Sequence, residues 1–111
     1  MSATPSLSFR HATEADLPLL YACDAYAQSH EGRRHDLRNW VQQGSCILTM
    51  AKDAPLGFVV LDYGFFGHGF VPLVCVAGEH QGQGVGLALL AEVKRQCRTQ
   101  KLFTSTNASN Q

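Results

Sequence analysis

The 111-residue sequence carries no excess of charge and no long apolar run, and each absence removes a class of function. Nine Lys and Arg balance nine Asp and Glu, so composition points neither to nucleic acid nor to a membrane surface as partner. No apolar stretch approaches 18 residues, which argues against a transmembrane helix. Met1 to Ser8 has no basic segment followed by an apolar one, so no secretory signal is expected. The four cysteines, Cys23, Cys46, Cys75 and Cys97, form no Cys-x-x-Cys pair. They read as buried free thiols of a cytoplasmic protein, not as a disulfide framework or a zinc site. His30 and His35 are five apart with Gly32 between them, where a zinc-protease helix needs histidines four apart; no metal is expected.

At this length the chain is one domain, and it should bury roughly 60–70% of its unfolded surface. A hydrophobic content of 45% suits a packed core and not a disordered chain. Alternation from Leu7 to His11 predicts a first strand. Thr13-Glu14-Ala15-Asp16 reads as a capping box ahead of a helix carrying Leu17, Leu20, Tyr21 and Asp24. Pro18 is tolerated there only near the helix start. A second helix is expected from Arg33 to Gln43, with Leu37, Trp40 and Val41 on its apolar edge and Gly44 ending it. Arg33, Arg34 and Arg38 then form a solvated face. Two strands follow, Ser45 to Lys52 and Gly57 to Tyr63, joined by a turn at Asp53 to Gly57. Gly64 to Gly69 is a glycine-rich connection in which Phe65 and Phe66 either cap the core or line a pocket. The apolar run Phe70 to Val76 predicts a strand covered on both faces, with Pro72 marking an edge or a bulge. Val85 to Arg98 has the periodicity of a helix, and Lys101 to Thr106 that of a last strand. The predicted order is β-α-α-β-β-β-α-β, an α+β domain with a mixed sheet.

The most informative stretch lies between that central strand and the last helix: Glu79-His80-Gln81-Gly82-Gln83-Gly84-Val85-Gly86. Glycine lets the chain turn sharply and lets main-chain N–H groups reach a ligand. The first N–H groups of a helix have no partner inside it and sit at the positive end of its dipole, so the loop reads as an anion site. The dinucleotide fingerprint fails, because its third glycine would fall on Leu87. The P-loop fails, because no lysine follows until Lys94. What remains is Gln81-x-x-Gly84-x-Gly86.

That spacing resembles the Q/R-x-x-G-x-G/A pattern of the GNAT superfamily of N-acetyltransferases. The opening Arg10-x-Ala12-Thr13-x-x-Asp16-Leu17-Pro18 is similar to the usual start of such domains. The resemblance implies acetyl-coenzyme A as cosubstrate. Main-chain N–H groups of Gln81, Gly82, Gln83, Gly84, Val85 and Gly86 would hold its pyrophosphate. The main chain of Val74 and Val76 would bond the pantetheine arm, in a gap where the bulged central strand splays from the next one. An N–H near Cys75 or Val76 would meet the thioester oxygen, and Asn107 would contact the cofactor. At Gln83 the family often has Lys or Arg, so the grip on phosphate would rest on backbone donors.

The acceptor, an amine whose identity the sequence leaves open, would attack the thioester directly, so no enzyme nucleophile is needed and Cys75 reads as a packing residue. Asp62, Tyr63, His68 and Glu79 are the candidate bases, directly or through water. The family's domain normally continues with one more helix and two more strands, so residues 1–111 read as a single, C-terminally truncated domain. Its last strand would present an open edge, to be covered by a partner chain or in a homodimer. Two readings of function follow: an amine acetyltransferase, or a non-catalytic domain that binds coenzyme A or a protein partner.

Overall fold

A computed structural model describes residues 7–65 and 67–104. The sheet has five strands: β1 (Ser8–His11), β2 (Cys46–Ala51), β3 (Ala54–Phe65), β4 (His68–Val76) and β5 (Leu102–Thr104), in the order β1-β2-β3-β4-β5. The first four are antiparallel, and β5 runs parallel to β4. Three helices precede β2: α1 (Leu17–Cys23), α2 (Ala25–Ser29) and α3 (Glu31–Gln42). The fourth, α4 (Val85–Gln96), crosses from β4 to β5.

Each face of the sheet is covered. Leu20, Leu37 and Val41 of the early helices pack on Cys46, Leu48, Phe58 and Val60. Val85, Leu89 and Val93 of α4 pack on Ile47, Val59, Leu61, Val71 and Val76. This is why β2 to β4 read as nearly unbroken apolar runs: successive side chains point to opposite faces, and both faces are core. Thr49, the polar residue in this run, is itself fully buried.

Of the edge or bulge expected at Pro72, the structure has a bulge. Val60 pairs with Leu73, but Asp62 pairs with Phe70, so Val71 and Pro72 together stand opposite Leu61. Other boundaries move. The hairpin turn is at Lys52–Asp53, with Lys52 at a φ of 57°, and Ala54, Pro55 and Leu56 already belong to β3. The bulge between Thr49 and Met50 lets Pro55 sit in that strand. The Gly64 to Gly69 connection is shorter than expected, since β3 runs to Phe65 and β4 starts at His68. The Phe65 side chain, Phe66 and Asn107 lie outside the described residues.

The first predicted helix is two. Asp24, at φ −113° and ψ 95°, breaks it, closes α1 and caps α2 by accepting the Tyr26 N–H at 3.1 Å. The helix expected at Arg33 starts two residues earlier, at Glu31. Pro18 sits in the first turn of α1, as its missing N–H requires.

The capping residue Asp16 also anchors β1. Its carboxylate accepts two bonds from Arg10, at 2.6 and 2.9 Å, and one from the Thr13 N–H at 2.8 Å. The Arg10 hydrogen bond lowers its pKa to about 2. A carboxyl whose pKa falls on folding stabilises the fold above its unfolded pKa, and loses that contribution as pH drops through the folded value. Asp16→Asn should therefore cost about 1–2 kcal/mol at pH 7, allowing for screening at the half-exposed Arg10. In urea melts the gap between the two proteins should close as pH falls from 4 towards 2.

Candidate functional site

The glycine loop forms where β4 ends. A 3-10 turn, Gly78–His80, reverses the chain, and residues 81–84 form a second turn before α4 begins. Gly82 and Gly84 have φ of 81° and 86°, values that only glycine adopts readily, and nothing lies within 4 Å of where a Cβ would be. Gly84 is the N-cap of α4 and offers no side chain to cap it. The first intrahelical bond runs from the Ala88 N–H to the Gly84 carbonyl at 3.0 Å. Among the described residues, the N–H groups from Gly82 to Leu87 are bonded to no protein acceptor. They form a row of donors at the positive end of a 12-residue helix. Gln83 folds back on its own loop, its Oε1 3.4 Å from His80 Nδ1.

The edge of β4 leads to this loop. The Ala77 N–H donates to the Leu56 carbonyl at 2.8 Å, so these two residues are a hydrogen-bonded pair of the antiparallel ladder. Alternation then turns the N–H and C=O of Cys75 into β3, and those of Val76 and Val74 towards the β5 side. The described pairing with β5 covers only Gly69 to Val71. The Val76 carbonyl accepts a bond from Gln81 Nε2 at 3.2 Å, which agrees with that direction.

Under the α1–α2 break lies a polar cluster that the linear pattern did not reveal. Asp24 is 3% exposed and accepts from Arg33 Nη1 at 2.6 Å. Arg33, read as part of a solvated face, is instead three-quarters buried and stacked 4.5 Å from the centre of the Tyr26 ring. Arg34 and Arg38 are half-buried and paired with Glu31. Cys75 faces this cluster. Burial, then the charge of Asp24, push its thiol up to about 12. Burial likewise pushes Cys23 to about 11 and Cys46 to about 12. A thiol held this firmly protonated is a poor nucleophile. Outside Arg33 an open groove of about 540 Å³ is lined by Tyr26, Ser29, His30, Glu31 and Asp36. His30 stacks on Tyr26 with centroids 3.7 Å apart. Among the described residues no His, Cys, Asp or Glu group is arranged to hold a metal ion. A signal for the cluster was present in the sequence: an aspartate amid the helical pattern is a strong N-cap, and marks a possible break.

The candidate bases are not brought together. The Asp62 carboxylate accepts the Gly64 N–H at 3.1 Å. The Tyr63 hydroxyl, on the opposite face, accepts the Arg98 N–H at 3.1 Å, beneath the Arg98 guanidinium. His68 opens β4 and lies against Phe103. Glu79 is exposed in the turn just past the end of β4, beside the glycine loop.

No curated protein matches the chain. Among solved structures it resembles a GNAT-family acetyltransferase of Bacillus cereus ATCC 10987, with a TM-score of 0.83 and 27% identity over 95% of this chain and 74% of that one. It also resembles the diaminobutyrate acetyltransferase of Paenibacillus lautus, in complex with L-2,4-diaminobutyric acid and coenzyme A, with a TM-score of 0.72 and 19% identity over 96% and 69% of the two chains. A third likeness is to an N-acetyltransferase of Thermoplasma acidophilum in complex with coenzyme A, with a TM-score of 0.64 and 16% identity over 81% and 70%. The model of the acetyltransferase (GNAT) family matches residues 14–111, a span that takes in the early helices, the bulged β4 and the glycine loop, and on that match the chain belongs to the GNAT family of acetyltransferases.

Proposed function

We propose that the chain transfers an acetyl group from acetyl-coenzyme A to an amine, by direct attack in a ternary complex. The observation that carries this reading is the row of N–H groups from Gly82 to Leu87 that make no bond to an acceptor among the described residues. Such donors at a helix start suit a diphosphate. With Gln83 in place of a cation, the grip rests on the main chain. The coenzyme A bound in the Paenibacillus and Thermoplasma structures supports the same cosubstrate here.

The pantetheine arm would lie along β4 on the side that Val76 faces. The Cys75 N–H is directed into β3, so the Val76 N–H is the better donor to the thioester oxygen. A donor aimed at the developing oxyanion contributes about 2.7–4 kcal/mol in acyl transfer. Holding amine and thioester together supplies much of the remaining acceleration. Of the four candidate bases, Glu79 stands at the same end of β4 as Val76, and we assign it the removal of the amine proton, directly or through water.

The test pairs a calorimetric titration of coenzyme A with the release of free thiol from acetyl-coenzyme A across a panel of amines. Binding together with amine-dependent release supports the proposal. Binding without release would leave a coenzyme A-binding module, and the absence of binding would end both readings.

A further inference from the structure

We infer that Gln81 is a positioning residue, whose side chain ties the glycine loop to the last residue of β4. The inference rests on the acetyl-transfer reading above. Gln81 belongs to the glycine motif by spacing, and as such would be read as a phosphate contact. Its side chain does something else. Nε2 donates to the Val76 carbonyl at 3.2 Å, across five residues. The intervening turn makes this possible: the His80 N–H bonds the Ala77 carbonyl at 2.8 Å, and the Gln81 N–H bonds the Gly78 carbonyl at 3.5 Å. The chain is thereby folded back until position 81 lies beside the strand end.

The consequence concerns two sites at once. In a strand the N–H and C=O of one residue point to the same side. Val76 is turned away from β3, as the Ala77–Leu56 bond requires. Fixing its carbonyl therefore also fixes the N–H that would face the thioester oxygen. The same bond engages a carbonyl that would otherwise project, unsatisfied, towards the reacting group. Its other end is the residue that precedes Gly82, where the donor row begins. One side chain thus sets the distance between the diphosphate grip and the oxyanion donor. Such spacing matters more to the transition state than to binding, because small misplacements at a reacting centre cost rate.

The experiment compares Gln81→Leu, Gln81→Glu and Gln81→Arg with the wild-type chain. Gln81→Leu and Gln81→Glu should lower kcat by about tenfold, the scale of one well-placed hydrogen bond, while Kd for coenzyme A moves by less than about threefold. Gln81→Arg can donate to the same carbonyl and should return kcat to within about twofold of wild type. A loss confined to Kd, with kcat intact, would make Gln81 a phosphate contact and overturn the inference. So would failure of Gln81→Arg to rescue. The bond is also legible without turnover. Amide resonances of Val76 and Ala77 in the free protein should shift in Gln81→Leu and return in Gln81→Arg; resonances indifferent to all three variants would equally overturn it. Gln81 is exposed, and thermal melts of each variant check that folding is retained. Wild-type chain that binds no coenzyme A would instead count against the acetyl-transfer reading itself, leaving the resonance comparison to judge Gln81.

Discussion

Replacing Gly57 by alanine is expected to lower stability by about 3 kcal/mol, the upper end of the cost of overpacking. For a domain of this size that is a fall in Tm of about 13 °C. An ideal Cβ at Gly57 would lie 2.5 Å from the Cys75 carbonyl oxygen, 3.2 Å from the Val76 Cα and 3.3 Å from Leu89 Cδ1. Two of those atoms are backbone of the neighbouring strand, so relief requires β3 and β4 to separate where both faces of the sheet are packed. Gly69 provides the contrast. Its Cβ would meet Cys97 Sγ at 2.5 Å, but that is a side chain that can turn aside, and the cost should be smaller. Melts of the two alanine variants check the ordering; equal stability of Gly57→Ala and wild type would show that the strands have slack there.

Gly84→Ala is expected to weaken coenzyme A binding by about tenfold, and Gly82→Ala/Gly84→Ala by about a hundredfold. A non-glycine residue held in the left-handed region costs roughly 1–2 kcal/mol, and about 1.4 kcal/mol is a factor of ten. Both positions have open space around them, so the fold has no packing reason to resist the change. The loop instead relaxes to a negative φ and swings its N–H groups out of line, and binding must reverse that. Gly86 is the control. It lies inside α4 with no positive φ, and a Cβ there would meet Val76 Cγ2 at an ordinary 3.7 Å. Gly86→Ala should bind within about twofold of wild type, since alanine is the better helix former and the family's pattern admits it. Calorimetry on the four proteins separates conformational need from mere glycine content: equal losses at Gly84 and Gly86 would contradict this account.

The parts of the fold legible in the sequence were those governed by neighbours along the chain. Alternation and periodicity located the strands and α4, Thr13 and Asp16 marked the first cap, and Pro72 marked an interruption of pairing, an edge or a bulge. The glycine loop was legible for the same reason, since its spacing states which residues tolerate positive φ. What stayed hidden depends on residues far apart. Nothing local to Gly57 says that the backbone of Cys75 will press on it. Arg33 looked like one of three surface cations until the break at Asp24 placed a buried carboxylate within 2.6 Å. Asp16 was read as a cap alone, and its two bonds from Arg10 join it to the first strand. Gln81 was counted with the phosphate loop because the motif gives position and not direction; only the 3-10 turn before it aims its amide at Val76.

The donors from Gly82 to Leu87 are proposed to be what the diphosphate meets. The most direct measurement is a titration of the isotope-labelled chain with coenzyme A, following each backbone amide by heteronuclear NMR with hydrogen exchange before and after. In the free protein these amides should exchange rapidly, because no acceptor among the described residues bonds them. On saturation they should show the largest shifts and gain protection together, with dephosphorylated pantetheine unable to reproduce the effect. Amides already protected without ligand, or shifts concentrated away from residues 82–87, would contradict it.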